Sequence, residues 1–490
     1  MPFGKGATFC REWARISLWA FFSDVKVEGY ENIINHDQPY IFACTHHNML
    51  LDPAVICYAT SKEYLHYWAK SSIFINNKYA LQFLNSVGCV PVYRGSGDHK
   101  ALYTATFKVF ELNESIVVFP EGTSHTLPHL GPLKHGISFA ALEYAQLLRD
   151  TAPKANNDGH YSIKPAAILP VGIVYTDKSK YRSVAIVRFG KPIQVDPYLH
   201  DFDKDPKATA KRVTKELEDA LVALTINAPD QIVRTSAITA RDILFPKEYG
   251  NMPDFIQVTQ SLINILSNED KRYLAENLYA YQYELNDLLL RDSDLIDYCN
   301  HCSNMNQKIC KNLIYKSSSL FMKLPFFLPV FMGHFPLYLI SQYYSKQEIY
   351  EESKAQGKIL YATALVPFML ITLFLWVWYY LYRFRLIGFV FTGMTIIVFF
   401  WLHVTTIDSS YEAFKQWRGT FQLFDAFILQ RGFGNRQKRI LDIIKLRKAI
   451  QNELYNLFLD NSQGMDDNND VDYQHVVNAI RDRHLKKQKK

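Results

Sequence analysis

Two apolar stretches set the outer limits on how this chain can fold. Residues 359–382 form a 24-residue run without Asp, Glu, Lys or Arg, and residues 386–404 form a 19-residue run of the same kind. A helix needs roughly 20 apolar residues to cross a hydrocarbon core, so both are long enough. Only Arg383, Phe384 and Arg385 stand between them, which predicts a tight helical hairpin with both flanks on one side of a bilayer. Residues 324–340 are also apolar, but Pro325, Pro329, Pro336 and His334 interrupt them. That composition favours a re-entrant or interfacial piece, with a third span as the alternative. Residues 8–24 carry Trp13, Leu18, Trp19, Phe21 and Phe22 among polar positions. The pattern suits an amphipathic helix at a membrane interface and equally an ordinary core helix.

The membrane candidates fall within residues 321–405 of a 490-residue chain, leaving room for further domains. From 25 to 225, short apolar runs alternate with helical patterns. Strands are expected at 40–44, 88–92, 115–119, 166–174 and 183–189, and helices near 53–60, 77–87, 99–112, 135–149 and 205–226. The alternation predicts an α/β domain with a mixed, mainly parallel sheet flanked by helices. Residues 226–320 read as a helical region, with periodic runs at 257–266 and 274–290. The tail, 406–490, begins as a helix and ends in Lys486-Lys-Gln-Lys-Lys490. That end is a solvated basic tail, only loosely similar to a dilysine retrieval signal because Gln488 stands third from last.

Charge and cysteine usage narrow the classes. A net charge of +6 implies no nucleic-acid surface, but it suits a phosphorylated ligand or an anionic membrane face. The seven cysteines are odd in number and dispersed, as in a reducing compartment. Cys299, His301, Cys302 and Cys310 lack a clear second ligand pair, so no metal is expected. Arg11 and Arg15 interrupt any apolar run that could form a cleavable signal.

The chemistry is concentrated in residues 44–53, Cys-Thr-His-His-Asn-Met-Leu-Leu-Asp-Pro. His47 precedes Asp52 with four residues between, whereas the same offset from His46 leads to Leu51. A neutral imidazole can take a proton from a hydroxyl while a carboxylate fixes its tautomer and stabilises the imidazolium. Five positions along a continuous helix rotate the side chains apart by roughly 140°. The pair can therefore meet only if His47 lies on a loop that becomes a helix near Asp52. The same residues also make a plain helix start, with Asp52 as N-cap and Pro53 at the first helical position. No serine sits in a Gly-x-Ser-x-Gly elbow, so direct transfer without an acyl-enzyme is the simpler chemistry.

Three further segments add to this pair. Residues 88–95, Gly-Cys-Val-Pro-Val-Tyr-Arg-Gly, end a strand on Arg94, whose guanidinium can bind phosphate or simply sit at the surface. Residues 119–125, Phe-Pro-Glu-Gly-Thr-Ser-His, place Glu121 and Gly122 in a turn where backbone can approach an anion closely, or in a plain turn. Residues 168–172, Ile-Leu-Pro-Val-Gly, suit the wall of an apolar pocket or any core strand.

In this order, the four blocks resemble the four motifs of the glycerolipid acyltransferase superfamily. Within it, residues 120–136, 171–175, 189–193, 228–230 and 239–244 resemble the fungal type of glycerol-3-phosphate/dihydroxyacetone-phosphate sn-1 acyltransferase. The resemblance implies a glycerol-3-phosphate acyltransferase-like fold, with His47 as general base and Asp52 as its partner. It implies that Arg94, Glu121, Gly122 and Lys134 position a glycerol phosphate acceptor, and that Pro170 and Gly172 lie near acyl-CoA. It further implies an endoplasmic reticulum membrane enzyme with its catalytic domain in the cytosol, using acyl-CoA as co-substrate and no cofactor. Two departures stand out. Position 46 is a second histidine, and Ser124 and His125 occupy the place where many members carry an arginine. A lysophosphatidate acyltransferase is the alternative enzyme, and a non-catalytic lipid-binding membrane scaffold is the alternative from another class.

Overall fold

The computed structural model describes residues 5–33, 38–60, 65–74, 78–93, 100–151, 164–177, 182–246, 254–299, 304–347, 351–431, 435–459 and 471–488. Arg94, His301 and Cys302 lie outside the described residues. The chain divides into two units, Met1–Thr225 with Tyr344–Leu360, and Ile226–Tyr343 with Tyr361–Lys490.

The first unit is built on a seven-stranded sheet. Its strands are β1 (Asp24–Glu28), β2 (Tyr40–Cys44), β3 (Leu65–Lys70), β4 (Cys89–Val92), β5 (Ser115–Val118), β6 (Ala167–Tyr175) and β7 (Val184–Phe189). They lie in the order β1-β7-β6-β2-β5-β3-β4. Every pairing is parallel except β6 with β7. The helices are α1 (Lys5–Phe21), α2 (Leu51–Ala59), α3 (Lys78–Ser86), α4 (Lys100–Glu111), α5 (Gly136–Thr151), α6 (Leu199–Lys204) and α7 (Pro206–Leu224). This is the mixed, mainly parallel α/β layer that the alternating pattern predicts.

Central strands are apolar throughout because helices cover both faces of the sheet. Successive side chains of β2 go to opposite sides. Phe42 and Cys44 join a core with Leu18 and Phe22 from the N-terminal segment and Val55 and Ile56 of α2. Ile41 and Ala43 join the opposite core with Phe110, Ala140 and Leu217 from α4, α5 and α7. β1 and β3 were not among the expected strands. β1 reads Asp-Val-Lys-Val-Glu and lies at the sheet edge, where charged residues are tolerated, so it lacks the apolar signature of a buried strand.

The register sets up the site. Ala43 of β2 pairs with Val118 of β5, so the turns after these strands emerge side by side. On the other flank, Cys44 pairs with Val171 of β6, and β6 runs on to Tyr175 beyond the end of β2. Open α/β sheets place ligands at such carboxyl ends.

The second unit is helical, with α8 (Gln231–Leu244), α9 (Phe255–Leu266), α10 (Arg272–Asp287), α11 (Asp292–Cys299) and most of α12 (Met305–Gln347) and α13 (Glu351–Tyr382). It continues through α14 (Leu386–Phe424), α15 (Asn435–Leu459) and α16 (Val471–Gln488). Its core is formed by residues such as Leu262, Leu278, Ile309, Ile440 and Leu454. A charge pair lies inside it: the Arg447 guanidinium donates to both oxygens of Asp292, at 2.6 and 3.0 Å, and the Tyr281 hydroxyl adds a third donor at 2.7 Å.

The three-residue break between the apolar runs is a tight reversal. Arg383 and Phe384 take left-handed conformations, φ 50° and 59°, and their N–H groups return to the end of α13. Phe374 and Trp378 of α13 meet Phe389 of α14 at 5.1 and 5.3 Å between ring centroids, so the two helices pack as a hairpin. Large apolar side chains such as Ile371, Trp376, Leu386, Ile397 and Trp401 are exposed on it. Among the described residues no helix is long and apolar enough to cross a membrane. Most side chains between 359 and 367 lie outside the described set. The helix α12 runs continuously through Pro325, Pro329 and Pro336, where the sequence suggested an interrupted path.

Candidate active site

The turn after β2 begins one residue past the strand. The Thr45 N–H donates to the Val171 carbonyl at 3.1 Å, and its hydroxyl accepts the Ile173 N–H at 2.9 Å. The chain leaves the sheet at His46, and α2 starts at Leu51. His47 therefore lies on a loop and Asp52 in the first helical turn, as the offset between them requires. Asp52 is not the N-cap, which is Leu50. Its carboxylate instead reaches back over the helix start, and Oδ2 accepts the main-chain N–H groups of His47 and Asn48, each at 2.7 Å. A carboxylate facing helix-start amides is the favourable arrangement for negative charge.

Two side chains complete the shell around Asp52, which is wholly buried. His46 Nδ1 donates to Oδ2 at 2.9 Å, and the Tyr175 hydroxyl donates to Oδ1 at 2.6 Å. Burial works to raise this carboxyl, but the His46 bond, the nearby imidazoles and the Tyr175 bond outweigh it and hold the group below the usual aspartate range. Burial, then the Asp52 charge and bond, push the Tyr175 phenol well up, so it stays a donor. Burial and the same carboxylate push the Cys44 thiol well up.

The ring hydrogen-bonded to Asp52 is thus that of His46, where spacing pointed to His47. The reason is local. The His47 main chain already contacts Oδ2, while the ring of the preceding residue folds over the same oxygen and stacks on Phe119 at 4.2 Å. The His47 ring stands edge-on to His125, with centroids 5.9 Å apart.

The neighbouring turn, after β5, is organised by Glu121, which is also buried. Its Oε1 accepts the His46 N–H at 2.8 Å, and its Oε2 accepts the Gly131 N–H at 2.9 Å. Oε2 also bonds His125 Nε2. Glu121 therefore ties the β2 turn to its own loop. Gly122 follows with φ 74°, a left-handed position that favours glycine. A Cβ there would lie 2.5 Å from Lys134 Nζ, so the lysine head packs directly over the glycine. The Lys134 N–H closes the loop on the Pro120 carbonyl at 2.9 Å.

His47, Asp52, Glu121, Gly122 and Lys134 are brought together at the ends of β2 and β5. Pro170 and Gly172 are placed differently, within the buried β6. A Cβ on Gly172 would meet Leu224 at 2.8 Å, so its absence lets the end of α7 seat against the strand. Sequence reasoning missed three participants. His46 was visible as the second histidine, and His125 as a departure from the motif. Tyr175 had no local signal, because its partner lies 123 positions away.

The arrangement is one of imidazoles beside a buried, ionised carboxylate, with an ammonium group nearby, suited to taking a proton from a hydroxyl on an anionic acceptor. Part of this chain is similar to known proteins. Residues 24–174 match the protein-family model described as Acyltransferase. Glycerol-3-phosphate O-acyltransferase 2 of Saccharomyces cerevisiae is 27% identical over 232 residues, which cover 46% of this chain and 30% of that protein. Glycerol-3-phosphate O-acyltransferase 1 of the same yeast is 33% identical over 129 residues, covering 26% of this chain and 15% of that protein. The chain thus spans less than a third of the length of either relative. The solved structure of the 1-acyl-sn-glycerophosphate acyltransferase PlsC from Thermotoga maritima aligns with TM-score 0.30 and 18% identity, over 44% of this chain and 78% of that one. Residues 24–174 thus carry the match to the Acyltransferase family, and the chain resembles the fungal glycerol-3-phosphate acyltransferases.

Proposed function

We propose that this chain transfers a fatty acyl group from acyl-CoA to the sn-1 hydroxyl of glycerol 3-phosphate, dihydroxyacetone phosphate or both, the entry step of glycerolipid synthesis. The observation that carries the reading is the buried Asp52 carboxylate, with the His46 ring and the His47 main-chain N–H on one of its oxygens, beside the Glu121 turn. In the reaction the imidazole takes the hydroxyl proton as the oxygen attacks the thioester carbonyl. Asp52 stabilises the imidazolium, the carbon–sulfur bond breaks, and the proton is passed to the leaving thiolate of CoA. Holding both substrates in place supplies much of the remaining acceleration.

His47 is the base that the motif spacing supports. A second reading, favoured by the Nδ1–Asp52 bond, gives the role to His46. Single variants separate them. His47→Ala reduces turnover below about a tenth of wild type if His47 is the base. A larger loss in His46→Ala assigns the base to His46. Lys134, Glu121 and Gly122 are proposed to receive the acceptor, together with Arg94. Pro170 and Gly172 are proposed to border the acyl-CoA site from within the sheet. Arg94→Ala then raises the KM for the phosphorylated acceptor, and an unchanged KM removes it from the site.

We further infer that the α13–α14 hairpin sits in a bilayer, on the strength of the charge-free runs at 359–382 and 386–404 and their exposed apolar side chains. Acyl-CoA is cytosolic, so the catalytic domain faces the cytosol, and the endoplasmic reticulum is the membrane proposed. The test is acylation of radiolabelled acceptors by membranes carrying the full chain. Product from glycerol 3-phosphate or dihydroxyacetone phosphate, lost with the histidine variants, supports the sn-1 reading. Product from lysophosphatidate alone moves the enzyme one step along the pathway. No acceptor-dependent release of thiol at all leaves a lipid-binding scaffold.

A further inference from the structure

Asp52 is held from two directions. Oδ2 takes three donors from its own turn, the His46 ring and the His47 and Asn48 N–H groups. Oδ1 takes the Tyr175 hydroxyl, which arrives from the far end of β6. The tyrosine is itself fixed in place. It is buried, it ends a strand paired to β7, and its ring stacks on Phe22 at 5.7 Å with the planes 22° apart. Filling this volume would require only a phenyl ring. What the hydroxyl adds is a donor on the carboxylate oxygen that faces away from the histidines.

We propose that Tyr175 is a positioning residue for acyl transfer: by binding Oδ1 it fixes the Asp52 carboxylate and sets how strongly Oδ2 holds the imidazolium formed in the reaction. The proposal rests on the acyltransferase reading above; the ring that Oδ2 holds is that of His46, while His47 reaches Oδ2 through its main-chain N–H and its ring acts on the carboxylate through charge alone. The physical basis is the sharing of one negative charge between two oxygens. A donor on Oδ1 draws charge toward itself and leaves Oδ2 a weaker partner for the imidazolium. It also stops the carboxylate from rotating, because Oδ1 has its partner on a rigid strand rather than on the turn.

Among the described residues, the titratable groups around Asp52 come from three elements. His46 and His47 approach from the turn, Tyr175 from β6 and Cys44 from the end of β2. From the turn after β5, Glu121 contacts the His46 N–H, and His125 faces the His47 ring. On the α1 side, the contact with Tyr175 is the apolar Phe22. Burial beside the Asp52 charge holds the phenol and the thiol protonated.

The experiment uses the full chain in membranes, with kcat, both KM values and the pH dependence of kcat measured for two variants. Tyr175→Phe removes the donor and keeps the ring. It is expected to lower kcat about 5- to 30-fold with both KM values within about 2-fold. The acidic limb is expected to move up by about half a pH unit, because the imidazolium now holds its proton longer. Replacement of Tyr175 by 3-fluorotyrosine strengthens the donor and is expected to move the same limb down. A residue that merely filled space would lower the amount of folded enzyme and leave the limb in place. Opposite shifts in the two variants support the proposal, and a wild-type profile in both overturns it while the acyltransferase reading stands. If the wild-type chain acylates no acceptor, that reading fails first. Should Tyr175→Phe fold poorly, the fluorinated protein alone decides, since it retains the size and the bond.

Discussion

The turn after β2 and the turn after β5 leave the sheet side by side, and each is built around a buried carboxylate used in a different way. Asp52 collects donors from within its own turn, plus one from a neighbouring strand, and so freezes a short loop against a helix start. Glu121 spreads its bonds over His46, His125 and Gly131, and so joins two loops that are distant in sequence. In the function proposed above, the first arrangement prepares a reacting group. The second fixes where that group stands relative to Gly122 and Lys134. In that proposed function, the difference would let two buried carboxylates divide turnover from substrate placement.

The strongest way to break this comparison is Asp52→Asn. The amide keeps the volume but loses the charge, and kcat is expected to fall about 10³- to 10⁴-fold with the acceptor KM little changed. A loss confined to KM would erase the distinction between the two turns. Glu121→Ala should act on both quantities, because it strips acceptors from two buried N–H groups. We expect about 2–4 kcal/mol of lost stability, read as a lowered midpoint of thermal unfolding, and a raised acceptor KM. Glu121→Gln, which keeps one acceptor oxygen, should recover part of both.

Smaller effects sharpen the picture. Gly122→Ala forces a Cβ into a left-handed position at a cost of about 1–2 kcal/mol and displaces the Lys134 head. Its signature should be an acceptor KM changed more than kcat. Lys134→Ala is expected to raise the KM for a phosphorylated acceptor about 5-fold, with little effect on acyl-CoA. The smallest effect is on acid stability. Because the folded value of Asp52 lies below the unfolded value of about 3.9, its contribution is complete at neutral pH and is lost as pH falls through the folded value. The difference in unfolding midpoint between wild type and Asp52→Asn should therefore shrink from pH 6 toward pH 3. A constant difference would show that Asp52 is not held below its ordinary range.

Much of this was legible in the chain. The apolar runs of β2, β5, β6 and β7 were recognisable because strands covered on both faces carry no polar alternation. The reversal at Arg383–Arg385 was visible as a three-residue interruption between charge-free runs. β1, with charges at alternate positions, and β3, with His66 and Lys70 in it, were not recognisable by the same rule. The prolines of α12 signalled a broken path, yet the helix carries them. Local propensity gave way there to the continuity of a long helix.

Sequence alone determined the alternation of strands and helices, the order of the four motifs, and the place of Asp52 and Glu121 within them. Each is written in neighbouring residues, through periodicity or motif spacing. Tertiary structure decided which imidazole meets Asp52, that Tyr175 completes its shell, and that Glu121 joins two loops. Those contacts depend on β6 and β5 flanking β2 in the sheet, and strand order in space follows from packing both faces of the sheet rather than from any local run of residues.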